Sequence, residues 1–434
     1  MMVRGQKGGQ SSPVWHLRLQ VRQLSPCPVA PTAEQTVRLT AANQEYFGRT
    51  QVDDQVIVEL SRAYQCLKLN TPTLGPRSAP VCEIALRLFE TRHRHRFVVR
   101  VHLPRADGFS FERTQPARVL GVALNPTIDS ELEPYANAHP PLAELSVSAY
   151  RERVAEGIAR AVKPDPGEYI IEDLLLEGPE GAGLTVRVYR APEAASPEPV
   201  VLYFHGGGFI CGGIEPEHEF CLSLAKESAA TVVSVDYRLA PEHPYPAALD
   251  DAYVTLAWVV DQADRLGVDP DRLAVAGSSA GATLAAALCL RVREQGGPSI
   301  RFQMLMHPSV DDRLETNSMQ IYAGAPSGHG KDTCKFLLTE YLRGTDEAET
   351  PALAFPARAK DLSGLPAAYV GVGQFDPLRD EGVAYAVALM SADVATELHS
   401  FPGTVHCSYL FPSAEVSRRE RRAYAEGLRA ALQR

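Results

Sequence analysis

An α/β fold built on a mainly parallel sheet, with helices covering both faces, is predicted by three observations. Short apolar runs recur between residues 169 and 400, and helical patterns fill most of the gaps between them. One strand–turn–helix unit is written out in full: Arg272-Leu-Ala-Val-Ala276, then Gly277-Ser-Ser-Ala-Gly281, then Ala282-Thr-Leu-Ala-Ala-Ala-Leu-Cys-Leu290. The residue types suited to chemistry fall in loops directly after apolar runs, which is where doubly wound sheets place their sites.

Taken in order, Ile128 to Ala138 and Ser146 to Ala161 carry helical patterns ahead of the sheet. Eight strands are expected near Tyr169–Leu176, Thr185–Arg190, Val200–Tyr203, Thr231–Val235, Leu273–Ala276, Gln303–Met306, Ala368–Val372 and Thr396–Ser400. The chain closes on Ala414 to Leu432, an Arg-rich amphipathic helix. An acidic total charge favours its packing on the body over anchoring to a membrane.

The turn at residues 277–281 holds Ser279 at a strand end with its hydroxyl exposed, and a side chain in place of either flanking glycine would collide with the neighbouring strand and helix. Such a pentapeptide gains weight only with partners. The first is His205-Gly-Gly-Gly-Phe-Ile210, after the apolar run Pro199-Val-Val-Leu-Tyr-Phe204. Three glycines there let backbone N–H groups face open space, where they stabilise the oxyanion of a tetrahedral acyl intermediate. A phosphate loop would continue with Lys and Ser or Thr, and Phe209 and Ile210 follow instead. Two more partners lie downstream. Asp376 follows Ala367-Ala-Tyr-Val-Gly-Val372, and His406 follows the alternating run Ala395-Thr-Glu-Leu-His-Ser400. Asp380 and Glu381 are rival carboxylates, and Asp376 is preferred as nearest the strand end and stiffened by Pro377. His399 is the rival base, but it falls inside the alternating pattern. The chain order Ser279, Asp376, His406 is one of the known orders of a nucleophile–acid–base triad.

On these motifs the chain resembles the hormone-sensitive-lipase family of α/β-hydrolases, in its bacterial form with a Gly-Asp-Ser-Ala-Gly elbow. The resemblance rests on His205-Gly-Gly-Gly208, Asp236-Tyr-Arg-Leu-Ala-Pro-Glu-His-Pro-Tyr-Pro-Ala-Ala248, the elbow at Ser279, Asp361-Leu-Ser-Gly-Leu-Pro-Ala-Ala-Tyr369 and Asp376-Pro-Leu-Arg-Asp-Glu-Gly382, and spans roughly residues 122 to 432. It implies an α/β-hydrolase fold with a helical cap formed by residues 122–165 and about 311–353. It also implies an oxyanion hole made by the amides of Gly207, Gly208 and Ala280. Three positions depart from the pattern: Ser278 stands where this branch usually has Asp, Ala282 where a further Gly is common, and Cys407 where Gly usually follows the base. They put the packing behind the nucleophile and the pocket rim in question, not the reaction class. Asp236 and Arg238 are expected to pair in support of the glycine loop.

The implied activity is a serine carboxylesterase acting on small, short-chain acyl esters through an acyl-enzyme. An acetyl-hydrolase of an acylated metabolite is the alternative within hydrolases. A non-catalytic small-ligand binder on the same fold is a third reading, disfavoured by the presence of His406. No metal or organic cofactor is required, and the expected partner is a small-molecule ester, with a homodimer left open.

Composition bounds the rest. The chain has 434 residues and a net charge of −10, but residues 1–118 carry 17 Lys/Arg against 9 Asp/Glu. The acidic remainder argues against nucleic acid as partner. No run approaches the length of a membrane span. Eight cysteines occur without a Cys-x-x-Cys pair, so no metal knuckle is visible, and free thiols in the cytoplasm are expected. Cys211 and Cys407 are read as small apolar filler. The basic front, residues 1–118, sustains no periodic pattern and includes Thr91-Arg-His-Arg-His-Arg96, read as a solvated charge run. Three readings compete for it: a disordered extension, a targeting segment, or upstream sequence translated from a start placed too early. The last is favoured, with the hydrolase occupying 122–434.

Overall fold

The computed structural model describes residues 3–5, 14–18, 83–87, 127–136, 146–160, 164–192, 197–322, 330–345 and 350–433. It divides into two units, Met1–Leu124 and Asn125–Arg434. In the first unit, strands β1 (Val3–Gly5), β2 (Val14–Arg18) and β3 (Glu83–Arg87) form an antiparallel sheet in that order. The His/Arg cluster at 91–96 lies outside the described residues.

The second unit is an α/β domain. Two helices lead it, α1 (Glu133–Ala136) and α2 (Val147–Arg160). The first is shorter than the pattern over 128–138 suggests. Pro134 explains why: inside a longer helix its ring would clash with the carbonyl four residues back, so the helix begins beside it. The sheet then runs β4 (Ile170–Glu177), β5 (Gly183–Arg190), β6 (Glu198–Phe204), β7 (Thr231–Val235), β8 (Val268–Ser278), β9 (Phe302–Met306), β10 (Ala367–Gly373) and β11 (Thr396–Phe401). All eight expected strands are present, in spatial order β11-β10-β9-β8-β6-β7-β5-β4. The pairings from β7 to β11 are parallel, and β4 and β5 add an antiparallel edge.

Strand β6 shows how the layers are written into the chain. Val200, Leu202 and Phe204 join one core, with α4 (Ala247–Asp261), α6 (Ala280–Gln295) and α9 (Arg379–Ser391). Val201 and Tyr203 join the other, with α3 (His218–Ser228) and α10 (Glu415–Leu432). All five side chains are fully buried, as a period of two between covered faces demands. Helix α6 runs through the middle of the first core, and its leading residues, Ala280 to Leu290, are all buried. Small residues let it approach the sheet. The remaining helices are α5 (Ala263–Leu266), α7 (Asn317–Ile321) and α8 (Lys331–Tyr341), the last two inside the expected cap insertion. Among the described residues no helix is long and apolar enough to cross a membrane.

Candidate active site

Ser279 sits between the end of β8 and the start of α6 with φ 53° and ψ −118°, a conformation a side-chain-bearing residue adopts only under strain. Its amide is fixed by the Met306 carbonyl at 2.8 Å. The neighbouring glycines are required by contact. A Cβ on Gly277 would meet the Gly281 carbonyl carbon and oxygen at 2.3 Å, and one on Gly281 would meet the Phe204 oxygen at 2.0 Å. Both obstacles are backbone and cannot swing aside. Gly281→Ala is therefore expected to destabilise the fold by about 3 kcal/mol. A melting temperature lowered by roughly 4–5 °C checks this.

The three candidates separated along the chain come together. Ser279 Oγ lies 2.9 Å from His406 Nε2, and His406 Nδ1 lies 2.8 Å from Asp376 Oδ2. Asp376 is fully buried, and its Oδ1 accepts the Leu378 amide at 2.8 Å. Burial alone would raise its carboxyl; the charge of His406 and hydrogen bonds from His307 and His406 hold it well below the carboxylate range. The rivals are occupied elsewhere. Asp380 accepts the Ser318 amide and pairs with Arg379. Glu381 is buried, accepts the Asp311 amide, and is pushed well up by burial. His399 remains on β11, stacked on Tyr369 and paired with Glu397.

The glycine loop follows β6. Gly207 has φ 122° and Gly208 φ 61°. A Cβ on Gly207 would lie 2.1 Å from the Cys211 carbonyl, so no other residue fits. The Gly207 carbonyl accepts the amides of Ile210 and Cys211, which curls the loop. Ala280 opens α6, so its amide is one of the first-turn donors that no helix carbonyl accepts. The loop is braced from three sides. His205 stacks on Tyr237 with ring centroids 4.1 Å apart, and its carbonyl accepts the Tyr237 hydroxyl at 2.8 Å. Burial pushes the His205 imidazole down to about 4, so this ring is neutral. From the leading helix α2, Arg151 donates to the Ile210 carbonyl at 2.7 Å and the Ala240 carbonyl at 2.9 Å, and pairs with Glu242. The expected pairing of Asp236 with Arg238 is not formed. Arg238 instead grips Asp251 on α4 at 2.9 Å, because the first turns of α4 bring that buried carboxylate within reach of both the Arg238 amide and its guanidinium.

Several site residues were not singled out from the sequence. Glu217, at the entrance to α3, is buried and accepts the Gly206 amide at 2.7 Å, the Tyr409 hydroxyl at 3.1 Å and the Ser278 hydroxyl at 3.3 Å, with the Tyr203 hydroxyl also bonded to it. Burial pushes its carboxyl up, and these bonds pull the other way. The acidic group absent at Ser278 is thus supplied by a different element, which fills the space behind the elbow. His307 follows β9 with φ 47°; its Nδ1 lies 2.9 Å from Asp376 Oδ2 and its Nε2 2.6 Å from Glu420 Oε1 on α10. Its place after a predicted strand was the available signal. Both thiols near the site are buried or half-buried, and burial pushes Cys211 up to about 12, which suits filler.

His307, Asp376 and His406 offer atoms within 4.8 Å of one another. A metal would need both Nδ1 atoms bare. Each instead faces the same carboxylate oxygen, so the cluster is satisfied by hydrogen bonds among its own members.

A family model described as the α/β hydrolase fold matches residues 201–410. The chain is 41% identical to an esterase of Mycobacterium tuberculosis, LipI, over 60% of this chain and 80% of the relative. It is 35% identical to an ethyl acetate hydrolase of Pseudomonas putida, over 61% of this chain and 84% of that protein. Among solved structures, a bacterial heroin esterase is similar with a TM-score of 0.66 and 36% identity, covering 70% of this chain and 98% of the other.

Proposed function

The chain belongs to the α/β-hydrolase family of carboxylic ester hydrolases, and from that premise we propose that it cleaves short-chain acyl esters through Ser279, His406 and Asp376. The observation that carries the reading is the unbroken chain of hydrogen bonds from Ser279 Oγ through His406 to Asp376, at 2.9 and 2.8 Å.

A serine hydroxyl is a weak nucleophile until a base takes its proton. His406 Nε2 is placed to do so, while Asp376 holds the Nδ1–H tautomer and stabilises the imidazolium that forms. Ser279 Oγ attacks the ester carbonyl, and the C–O double bond opens onto the amides of Gly207, Gly208 and Ala280, which hold the oxyanion. His406 returns the proton to the leaving alcohol as the C–O bond breaks, giving the acyl-enzyme. Water, deprotonated by His406, then releases the acid and restores Ser279.

Two observations support a small acyl group. Leu337 of α8 stands over the glycine loop, so close that a methyl on Gly208 would meet its Cδ1 at 2.5 Å. It belongs to an apolar group with Ile210, Cys211 and Ala240, against which Val147 and Tyr150 of α2 pack. The relative named as an ethyl acetate hydrolase acts on an acetyl ester, which agrees with that size. A series of activated esters from acetate to decanoate tests the reading. We expect the highest kcat/KM at acetate to butyrate and a loss of about tenfold or more by octanoate, each methylene that fails to fit carrying a cost. A profile that is flat or rises toward decanoate refutes the short pocket. A fluorophosphonate probe separates enzyme from binder, since only an activated serine is labelled.

A further inference from the structure

The His307 side chain is completely buried and bridges two carboxylates, at 2.9 Å to Asp376 Oδ2 and 2.6 Å to Glu420 Oε1. Ionised carboxylates only accept, so an imidazole that satisfies both must donate from both nitrogens, and a ring that donates twice is an imidazolium. Glu420 receives two further hydrogen bonds. Its Oε1 also accepts the Tyr424 hydroxyl at 2.7 Å and its Oε2 the Ser408 hydroxyl at 2.6 Å. Burial works against a charge on His307, but Glu420 and Asp376 outweigh it and raise the ring to about 10. The His307 and His406 rings meet edge to face with centroids 5.6 Å apart, and their Nδ1 atoms converge on the same Asp376 oxygen.

We propose that His307 is a positioning residue for ester hydrolysis: a permanent buried cation that clamps Asp376 at the same oxygen that orients His406 and sets the pH range over which His406 works as a base. The proposal rests on the Ser279–His406–Asp376 reading. The physical argument has two parts. A carboxylate oxygen held by two donors is fixed in both angle and distance, so the base inherits its orientation from a site that does not move. A second positive charge so close makes a further proton on His406 costly, which extends the working range toward acid.

The other groups facing this cluster do not supply the cation. Buried Arg421 of α10 is turned away to Glu219 at 2.6 Å, which leaves Glu420 and Tyr424 on that helix, and on α8 Cys334, whose thiol burial pushes up. Beyond β11 they are Cys407, whose thiol burial pushes well up, and Tyr409, tilted against the His307 ring at 6.1 Å, with Glu217 behind its hydroxyl. On α9 it is Glu381, also pushed well up by burial. None of the facing groups is basic, so among them His307 alone opposes protonation of its neighbour.

The test is the pH dependence of kcat/KM for the full chain, parent against His307→Gln. Glutamine removes the charge and leaves the Asp376 and Glu420 carboxylates behind. The acidic midpoint should rise by about one to two pH units, so activity falls far more at pH 6 than at pH 8.5. Adding Glu420→Gln removes the leftover anion and should bring the midpoint part of the way back. A merely structural role would lower activity equally at every pH and leave the midpoint in place, which would overturn the proposal. Ser279→Ala is measured alongside. If it is inactive while the His307→Gln midpoint stays put, this proposal alone fails; if it keeps activity, the triad reading fails and takes the proposal with it. Nitrogen NMR of the unsubstituted, histidine-labelled protein gives an answer even if the variant does not fold. One imidazole should remain doubly protonated at pH 8, where exposed histidines are neutral, and its absence overturns the assignment.

Discussion

Ser279→Ala is expected to lower kcat for activated short-chain esters by about 10⁴ to 10⁶, to near the uncatalysed rate, with the fold unchanged. The substitution removes one hydroxyl that contacts His406 and deletes no packing, so circular dichroism and melting should match the parent. Ser278 cannot take over. Its side chain is completely buried and its hydroxyl is bound to Glu217 at 3.3 Å. Substantial turnover by Ser279→Ala, with saturation kinetics like the parent's, would remove the nucleophile assignment.

Asp376→Asn carries the second largest expected effect, a fall in kcat of about 10⁴. Two imidazole Nδ1 atoms converge on Asp376 Oδ2. A carboxylate accepts from both at once. An amide turned to accept the Leu378 N–H at Oδ1 presents an N–H to those donors, so His406 is pushed toward the wrong tautomer. The comparison is Asp380→Asn. Asp380 braces the Ser318 amide and Arg379 and touches no triad group, so its loss should cost less than about tenfold. A severe Asp380→Asn beside a mild Asp376→Asn would move the acid role.

The sheet was legible because buried strands are written as short, nearly unbroken apolar runs. Val200-Val-Leu-Tyr203 and Thr231-Val-Val-Ser-Val235 leave little else to be. The elbow was legible because Gly277 and Gly281 are forced by backbone contacts, a constraint visible as residue type. Asp376 and His406 were legible as candidates by their positions after strands. What escaped notice were buried charges whose partners lie far along the chain. Glu420, in an Arg-rich helix, looks like part of a solvated face, yet it shares the buried stripe of Tyr424 and Leu428 at a spacing of four. Glu217 is invisible as a brace until α3 docks under the glycine loop. The expected pairing of Asp236 with Arg238 fails for the same reason: adjacency in sequence points to Asp236, whereas the packing of α4 brings Asp251 to the arginine. The short α1 was a local miss, since Pro134 was already there to be read.

The contribution of α10 bears on when the enzyme comes into being. The glycine loop and Ser279 belong to strands made early, whereas Asp376, His406, Tyr409, Glu420 and Tyr424 leave the ribosome late. Until α10 docks, Glu420 and Tyr424 are missing from behind His307, and the second core, which α10 helps to cover, lies open. Activity therefore reports completion of folding more faithfully than compactness does. Stalled or clipped chains ending before Tyr424 should be silent as esterases while exposing apolar sheet surface, the state in which aggregation competes with folding.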